Sequence, residues 1–393
     1  MYKTLSNFTV MKIIFLEVSQ NFGGAQKSTI ELAKRLKVLG HQVLIVDLWG
    51  CSKSFISAVR TAELKLNILS HREEPFIIDH SSKIKLLKNI ILYFFLERKY
   101  KRIFAKLADD FLPDIVVTHN IKALSLLNPK ARYKIDFFAR GWFDYRSISS
   151  FSKKRIRKYN PRFLAVSQAT RQALFSGGIA KLENIKVLTS VIESKVFDAY
   201  QPNCNGVGTT KPINILFSGG FLNTKGQHSC IAIAKKLRQE SIPFKMTLTG
   251  IIYKGGTSEE YYYHILKLIS ENNLEDSVEI ALNPPNIMDY FRNTDVLIHP
   301  SHTEGLPRVG LEALAFGKPV IANPVGGITD IVIHNLTGFI TDFNAEEQYV
   351  EYIKQYIENP EIYALHSRAA RQLIKQNYLD NNQFENIKKI YPI

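Results

Sequence analysis

His299-Pro300-Ser301-His302-Thr303-Glu304-Gly305-Leu306-Pro307-Arg308-Val309-Gly310-Leu311-Glu312-Ala313-Leu314-Ala315-Phe316-Gly317-Lys318-Pro319-Val320-Ile321-Ala322-Asn323-Pro324-Val325-Gly326-Gly327 decides how the rest of the chain is read. An apolar strand, residues 296–299, runs into a turn. Residues 311–316 are good helix formers that stop at Gly317, and Pro319 opens another short apolar strand. The result is a strand–loop–helix–strand unit with Glu304 and Glu312 framing the loop-to-helix junction. A carboxylate accepts from a pair of hydroxyls, while free backbone N–H groups at a helix start face an anion. The junction therefore suits a ligand carrying both hydroxyls and phosphates.

Outward from this stretch, two halves repeat one grammar. Residues 12–18 form a continuous apolar run, the pattern of a buried parallel strand. The turn Asn21-Phe22-Gly23-Gly24 follows. Ile30, Ala33, Leu36 and Leu39 then recur at helical spacing over residues 25–39, and residues 42–48 read as the next strand. In the second half the same series is 213–218, Gly219-Gly220, 227–240 and 244–249. Further strands are expected at 115–118, 163–166, 185–188, 278–282, 296–299, 320–322 and 338–340, with helices at 345–357 and 361–377. Such units put ligands at the carboxyl ends of parallel strands. The chain, 393 residues, exceeds one ordinary core, so two Rossmann-like α/β domains are expected. Pro, Asn, Gly and Thr accumulate over residues 199–211, which places the boundary there. A tandem pair of unrelated domains gives the same pattern, so architecture alone does not settle function.

At 45% apolar and 22% charged, the composition is globular rather than disordered. Cys51, Cys204 and Cys230 are far apart and odd in number, which excludes a disulfide framework or a metal spacing and fits a reducing compartment. No apolar run approaches a membrane span; the densest, residues 90–96, is flanked by charges. The N-terminus has no cleavable signal pattern, residues 1–10 read as a short extension, and Met11 is an alternative start. The net charge of +15 calls for an anionic partner, and nucleic acid, anionic lipid and phosphorylated substrates all fit it. Basic residues concentrate at 83–106 and 153–171. In the first cluster Tyr93, Phe94, Phe95, Tyr100 and Phe104 mix with Lys88, Arg98, Lys99, Lys101 and Arg102, the composition of an interfacial membrane helix. An ordinary surface helix with its aromatics turned to the core is the alternative.

Other residues carry chemistry of their own. In Phe217-Ser218-Gly219-Gly220-Phe221-Leu222-Asn223-Thr224-Lys225-Gly226 a glycine turn after a strand lets backbone N–H groups approach a diphosphate, and Lys225 neutralises charge. His119 follows a strand at its carboxyl end, where a cleft residue belongs. His299 and His302 flank the main motif as weaker candidates. Arg140-Gly141-Trp142-Phe143 offers a guanidinium for a phosphate, an ordinary loop being the other reading. No Gly-x-Gly-x-x-Gly, no Walker motif and no Asp-x-Asp occurs.

The main motif strongly resembles the donor-binding signature of the retaining, nucleotide-sugar-dependent glycosyltransferases of the GT-B fold, the glycosyl transferases group 1. In that family two glutamates are separated by seven residues, as Glu304 and Glu312 are here, and Leu-Glu-Ala-Leu-Ala-Phe-Gly-Lys-Pro-Val follows. The resemblance runs over nearly the whole chain and is strongest at residues 213–226 and 295–338. It implies two Rossmann-like domains facing across a cleft: residues 1–200 for the acceptor and 206–377 for the nucleotide sugar, with 378–393 packing back on the first. Glu304 is then expected on the donor sugar, Glu312 on the ribose and Lys225 on the diphosphate. Gly219, Gly220, Gly305, Leu306, Arg308 and Leu311 complete the donor side. Gly23, Gly24, His119 and Arg140 lie on the acceptor side, and Glu304, His119 and Lys225 are the expected catalytic residues.

Two departures stand out. The family's arginine falls on Gly220, a missing cation that Arg308 is a candidate to replace. The frequent Asn-Gly near the linker is absent, and Thr189-Ser190-Val191-Ile192-Glu193 stands there. The resemblance further implies transfer with retention, no metal or other cofactor, and a nucleoside diphosphate sugar as co-substrate. The acceptor is expected to be an envelope glycan or lipid-linked intermediate, met by a cytoplasmic protein peripheral on the inner, anionic face of the membrane, with no nucleic acid partner. Residues 249–252 and 282–285 are where the base is expected to be read. A nucleotide-sugar epimerase of the same fold and a non-catalytic membrane-docking protein are the competing readings.

Overall fold

The computed structural model describes residues 10–20, 22–71, 73, 83–141, 148–200, 202, 211–253 and 257–392. They form two compact units. One takes the described residues up to Val166 together with Arg171–Leu188 and Phe384–Ile393; the other takes Ser167–Thr170 and Thr189–Gln383. The chain thus changes unit at Leu188, ahead of the Pro- and Asn-rich stretch, of which 201 and 203–210 lie outside the described residues. The reason is backbone pairing: Ile192 N–H donates to Tyr378 O at 2.8 Å and Asp380 N–H to Ile192 O at 3.1 Å. Arg371 adds a bond to the Phe197 carbonyl at 2.8 Å.

In the first unit the strands are β1 (Lys12–Glu17), β2 (Gln42–Asp47), β3 (Lys65–Ile68), β4 (Ile115–Thr118), β5 (Lys134–Ala139), β6 (Arg162–Ala165) and β7 (Ile185–Val187). They pair in parallel in the order β3-β2-β1-β4-β5-β6-β7. In the second unit β8 (Ile213–Ser218), β9 (Phe244–Gly250), β10 (Val278–Leu282), β11 (Val296–His299), β12 (Val320–Ala322) and β13 (Gly338–Ile340) pair in parallel as β10-β9-β8-β11-β12-β13. Helices cover both faces, so the central strands are apolar throughout: Ile13, Ile14, Phe15 and Leu16 of β1 are at most 1% exposed. In each sheet the strand order reverses at one point, between β1 and β4 and between β8 and β11. Doubly wound sheets hold their ligands at the carboxyl ends of those strands.

The helix Lys83–Phe111 divides its aromatics. Tyr100 and Phe104 are buried, Tyr100 edge-on to Trp49, whereas Ile91, Leu92, Phe94 and Phe95 are exposed. The mixed aromatic and basic composition is therefore two faces, one packed on the core and one open. The last residues close the first unit. Asp136 on β5 takes both guanidinium arms of Arg162 at 2.9 and 2.6 Å and the Tyr391 hydroxyl at 2.8 Å.

Asp47, at the end of β2 and fully buried, accepts from the amides of Ser19 and Gly50, each at 2.9 Å. Burial outweighs those bonds and pushes its carboxyl up from 3.8 to about 6. Below pH 3.8 it holds its proton folded or unfolded. Between the two values the unfolded chain has released it and the folded one has not, so its contribution to stability declines as pH rises through about 6 and stays low above. Asp47→Asn loses one acceptor but carries no charge at any pH. Its melting temperature should lie below wild type at pH 4.5 and recover relative to wild type by pH 7; a constant difference across that range would contradict the assignment.

Candidate active site

β8 and β11 deliver the second unit's polar residues to one place. After β8 the chain turns through Gly219 and Gly220 to Lys225, at the end of a short 3-10 turn; after β11 it runs from His299 to Glu304. The two loops are tied together by His302 N–H donating to Thr224 O at 2.8 Å. A third segment clamps them. Gly326 has φ +55, and a Cβ there would stand 1.9 Å from Glu304 O. Gly327 N–H donates to Gly305 O at 2.6 Å. Only glycine satisfies both the backbone sign and the close approach at 326.

Lys225 Nζ lies 2.6 Å from Glu304 Oε1. Ser301 donates to the same oxygen at 3.0 Å, and His299 Nε2 is 3.2 Å from it. The Glu304 side chain is only 12% exposed. Burial by itself raises its carboxyl, but the Lys225 ammonium and His299 more than reverse this and hold it at about 2. The site therefore keeps a permanent carboxylate beside an ammonium, one accepting from hydroxyls and the other facing anions.

The helix expected at residues 311–316 starts earlier, at Arg308, and runs to Ala315. Pro307 supplies the extended residue before it, which explains the shift. Glu312 accordingly sits in the second turn rather than at the junction. Arg308, the candidate replacement cation, holds its Nε 3.8 Å from Glu312 Oε1 along the helix face. Leu306 and Leu311 are buried.

The first unit builds a second cluster where β1 and β4 end side by side. Glu17, 2% exposed, closes β1, and its Oε1 accepts the Thr29 hydroxyl at 2.6 Å and lies 3.3 Å from His119 Nδ1. Arg140, just past β5, donates to Thr29 Oγ1 at 2.7 Å and to the carbonyl of Ala25. Burial works to raise the Glu17 carboxyl, yet His119, Arg140 and Thr29 bring it below the usual carboxylate range. Burial also pulls Arg140 down to about 10 against the pull of Glu17. Gly23 precedes the helix Gly24–Val38 as its extended cap residue, with Gly24 opening the helix that carries Ala25 and Thr29. Trp142 and Phe143 lie outside the described residues.

His119 and Arg140 are thus brought together, through two residues that sequence reasoning passed over. Glu17 ends an apolar strand, and a lone acid there reads as the strand's polar terminus. Thr29 looks like an ordinary helix residue. The signal was available in the parallel pairing, which sets β1 and β4 level, with Leu16 opposite Thr118. Among the described residues, no three His, Cys, Asp or Glu side chains gather to hold a metal ion.

Comparison with known proteins fits this geometry. The family model for glycosyl transferases group 1 matches residues 206–375. An uncharacterized glycosyltransferase of Haemophilus influenzae is 25% identical over 91% of this chain and 92% of its own. The capsular polysaccharide biosynthesis glycosyltransferase CapM of Staphylococcus aureus is 21% identical over 84% of this chain and 79% of its own. Among solved structures, HepE of Anabaena in complex with UDP-glucose has a TM-score of 0.78 at 18% identity, covering 97% of this chain and 99% of that one. The segment that carries Lys225 and Glu304 thus matches the glycosyl transferases group 1 model, and the chain over nearly its full length shares the GT-B fold.

Proposed function

We propose that this protein transfers a sugar from a nucleoside diphosphate donor to an envelope glycan acceptor, with retention at the anomeric carbon and without a metal ion. The observation that carries the reading is the Lys225–Glu304 pair at the switch point of the second sheet. Leaving-group departure puts negative charge on the diphosphate. A fixed ammonium aimed there stabilises the transition state more than the ground state. Glu304, ionised at any physiological pH, accepts from donor hydroxyls, and Glu312 from the ribose. The glycine turn at 219–220 lets backbone approach the phosphates. His119, held by Glu17, and Arg140 serve the acceptor side. UDP-glucose in the Anabaena protein makes UDP the first nucleotide to try.

The acceptor class rests on two supports. CapM is named for capsular polysaccharide biosynthesis. The open face of the helix Lys83–Phe111 also combines exposed Ile91, Leu92, Phe94 and Phe95 with Arg98, whose guanidinium stacks 4.0 Å over Phe94. That is the chemistry of docking on an anionic membrane from the cytoplasmic side. Among the described residues no helix is long and apolar enough to cross a membrane.

Calorimetric titration of UDP, GDP and ADP in the presence of chelator tests the donor site. Wild type should bind one of them selectively. Glu312→Ala should weaken that binding by roughly 10- to 100-fold, as expected for a lost charged hydrogen bond. Lys225→Ala should slow turnover by roughly 100- to 1000-fold. Wild type that binds no nucleotide would overturn the reading. The membrane part is checked by flotation with anionic liposomes: binding at low salt, lost in Phe95→Ser, is expected, and a protein that stays in the soluble fraction refutes it.

A further inference from the structure

We propose that Tyr253 is a donor-binding residue whose hydroxyl donates to the diphosphate of the nucleotide sugar beside Lys225, and that Gly220 is glycine because the Tyr253 ring lies over it. The assignment rests on the donor site proposed above and names a residue that neither the motif nor the spacing pointed to.

Gly220 has no left-handed backbone that would demand a glycine; it is absent from the positive-φ positions of the described chain. Its constraint is spatial. A Cβ built on it would lie 2.4 Å from Tyr253 Cε2 and 2.8 Å from the Tyr253 hydroxyl oxygen. Atoms essentially never stand closer than 3.0 Å, so a side chain at 220 requires the Tyr253 ring to move from where it lies. The ring is held there by a chain of short bonds. Tyr253 N–H donates to Ser258 Oγ at 2.9 Å, and that hydroxyl donates to Phe221 O at 2.7 Å. Phe221 N–H donates to Ile251 O at 2.9 Å and Gly219 N–H to Thr249 O at 3.0 Å, which stitches the segment after β9 onto the turn after β8.

The same turn carries the site's cation: a Cβ on Gly219 would touch Lys225 Cβ at 3.9 Å. Burial, the largest influence, raises the phenol above its ordinary value, with Lys225 opposing and Glu304 adding to it. A phenol in that state is neutral and a hydrogen-bond donor. Next to one ammonium it supplies the second donor that a diphosphate requires without adding charge, and so fills the space in which position 220 offers no cation.

The test compares Tyr253→Phe with wild type in titrations with UDP, GDP and ADP and with the matching nucleosides. Tyr253→Phe removes one oxygen and leaves the ring on Gly220, so the melting temperature should not change. Affinity for the diphosphate that wild type prefers should fall roughly tenfold or more, and affinity for its nucleoside should hold. In a second variant pair, Gly220→Arg alone should bind poorly because ring and side chain collide, and Gly220→Arg in a Tyr253→Ala background should recover most of the lost affinity. Equal diphosphate affinity in Tyr253→Phe and wild type overturns the proposal. Wild type that binds none of the three nucleotides instead overturns the donor site itself, so the two failures are distinguishable.

Discussion

A charged carboxylate taken out of water is costly unless its partners are close and fixed, and the second unit is organised around meeting that demand at Glu304. Lys225, Ser301 and His299 converge on one of its oxygens. None of the three is adjacent to another in the fold by accident. Lys225 comes from the loop after β8, the other two from β11 and its loop, and those strands are neighbours only because the strand order reverses there. Removing Lys225 leaves the Glu304 carboxylate, only 12% exposed, without its ammonium. The pair therefore constrains both loops as strongly as it serves a ligand.

The first unit solves a related problem with a different set. Glu17 and His119 occupy the equivalent place, between β1 and β4, and Arg140 approaches through Thr29. Asp47, level with Glu17 on the adjoining strand, is pushed toward neutrality while Glu17 stays ionised. Two carboxyls share one buried region, and hydrogen-bond donors and cations shift their titrations in opposite directions.

Much of this was legible in the sequence where local signals were strong. The bounds of β4, β8, β10, β11, β12 and β13 stand as read from the sequence; β4, β11 and β12 are buried along their whole length and have no polar face to blur them. β3 was missed, since Lys65-Leu66-Asn67-Ile68 lies at the sheet edge and is half exposed. β5 was missed as well, because Lys134 and Asp136 break its apolar run and Asp136 is buried for the sake of Arg162 and Tyr391. Lys225 and Glu304 were nameable from their motifs. Glu17, Thr29 and Tyr253 were not, because their roles exist only once distant loops are brought together, and no local pattern encodes a carboxylate's partner 102 positions away, the separation of His119 from Glu17.

The central claim is that Lys225 and Glu304 act on the donor as one unit, and a double-mutant cycle in the full chain tests it most directly. Affinity for the preferred nucleotide sugar would be measured for wild type, Lys225→Met, Glu304→Gln and the double variant. The account predicts strong non-additivity: each single change removes most of the affinity, and the double variant is little worse than either, with a coupling of roughly 1–3 kcal/mol. Losses that simply add would mean that the two side chains meet the donor independently, or not at all, and would contradict it.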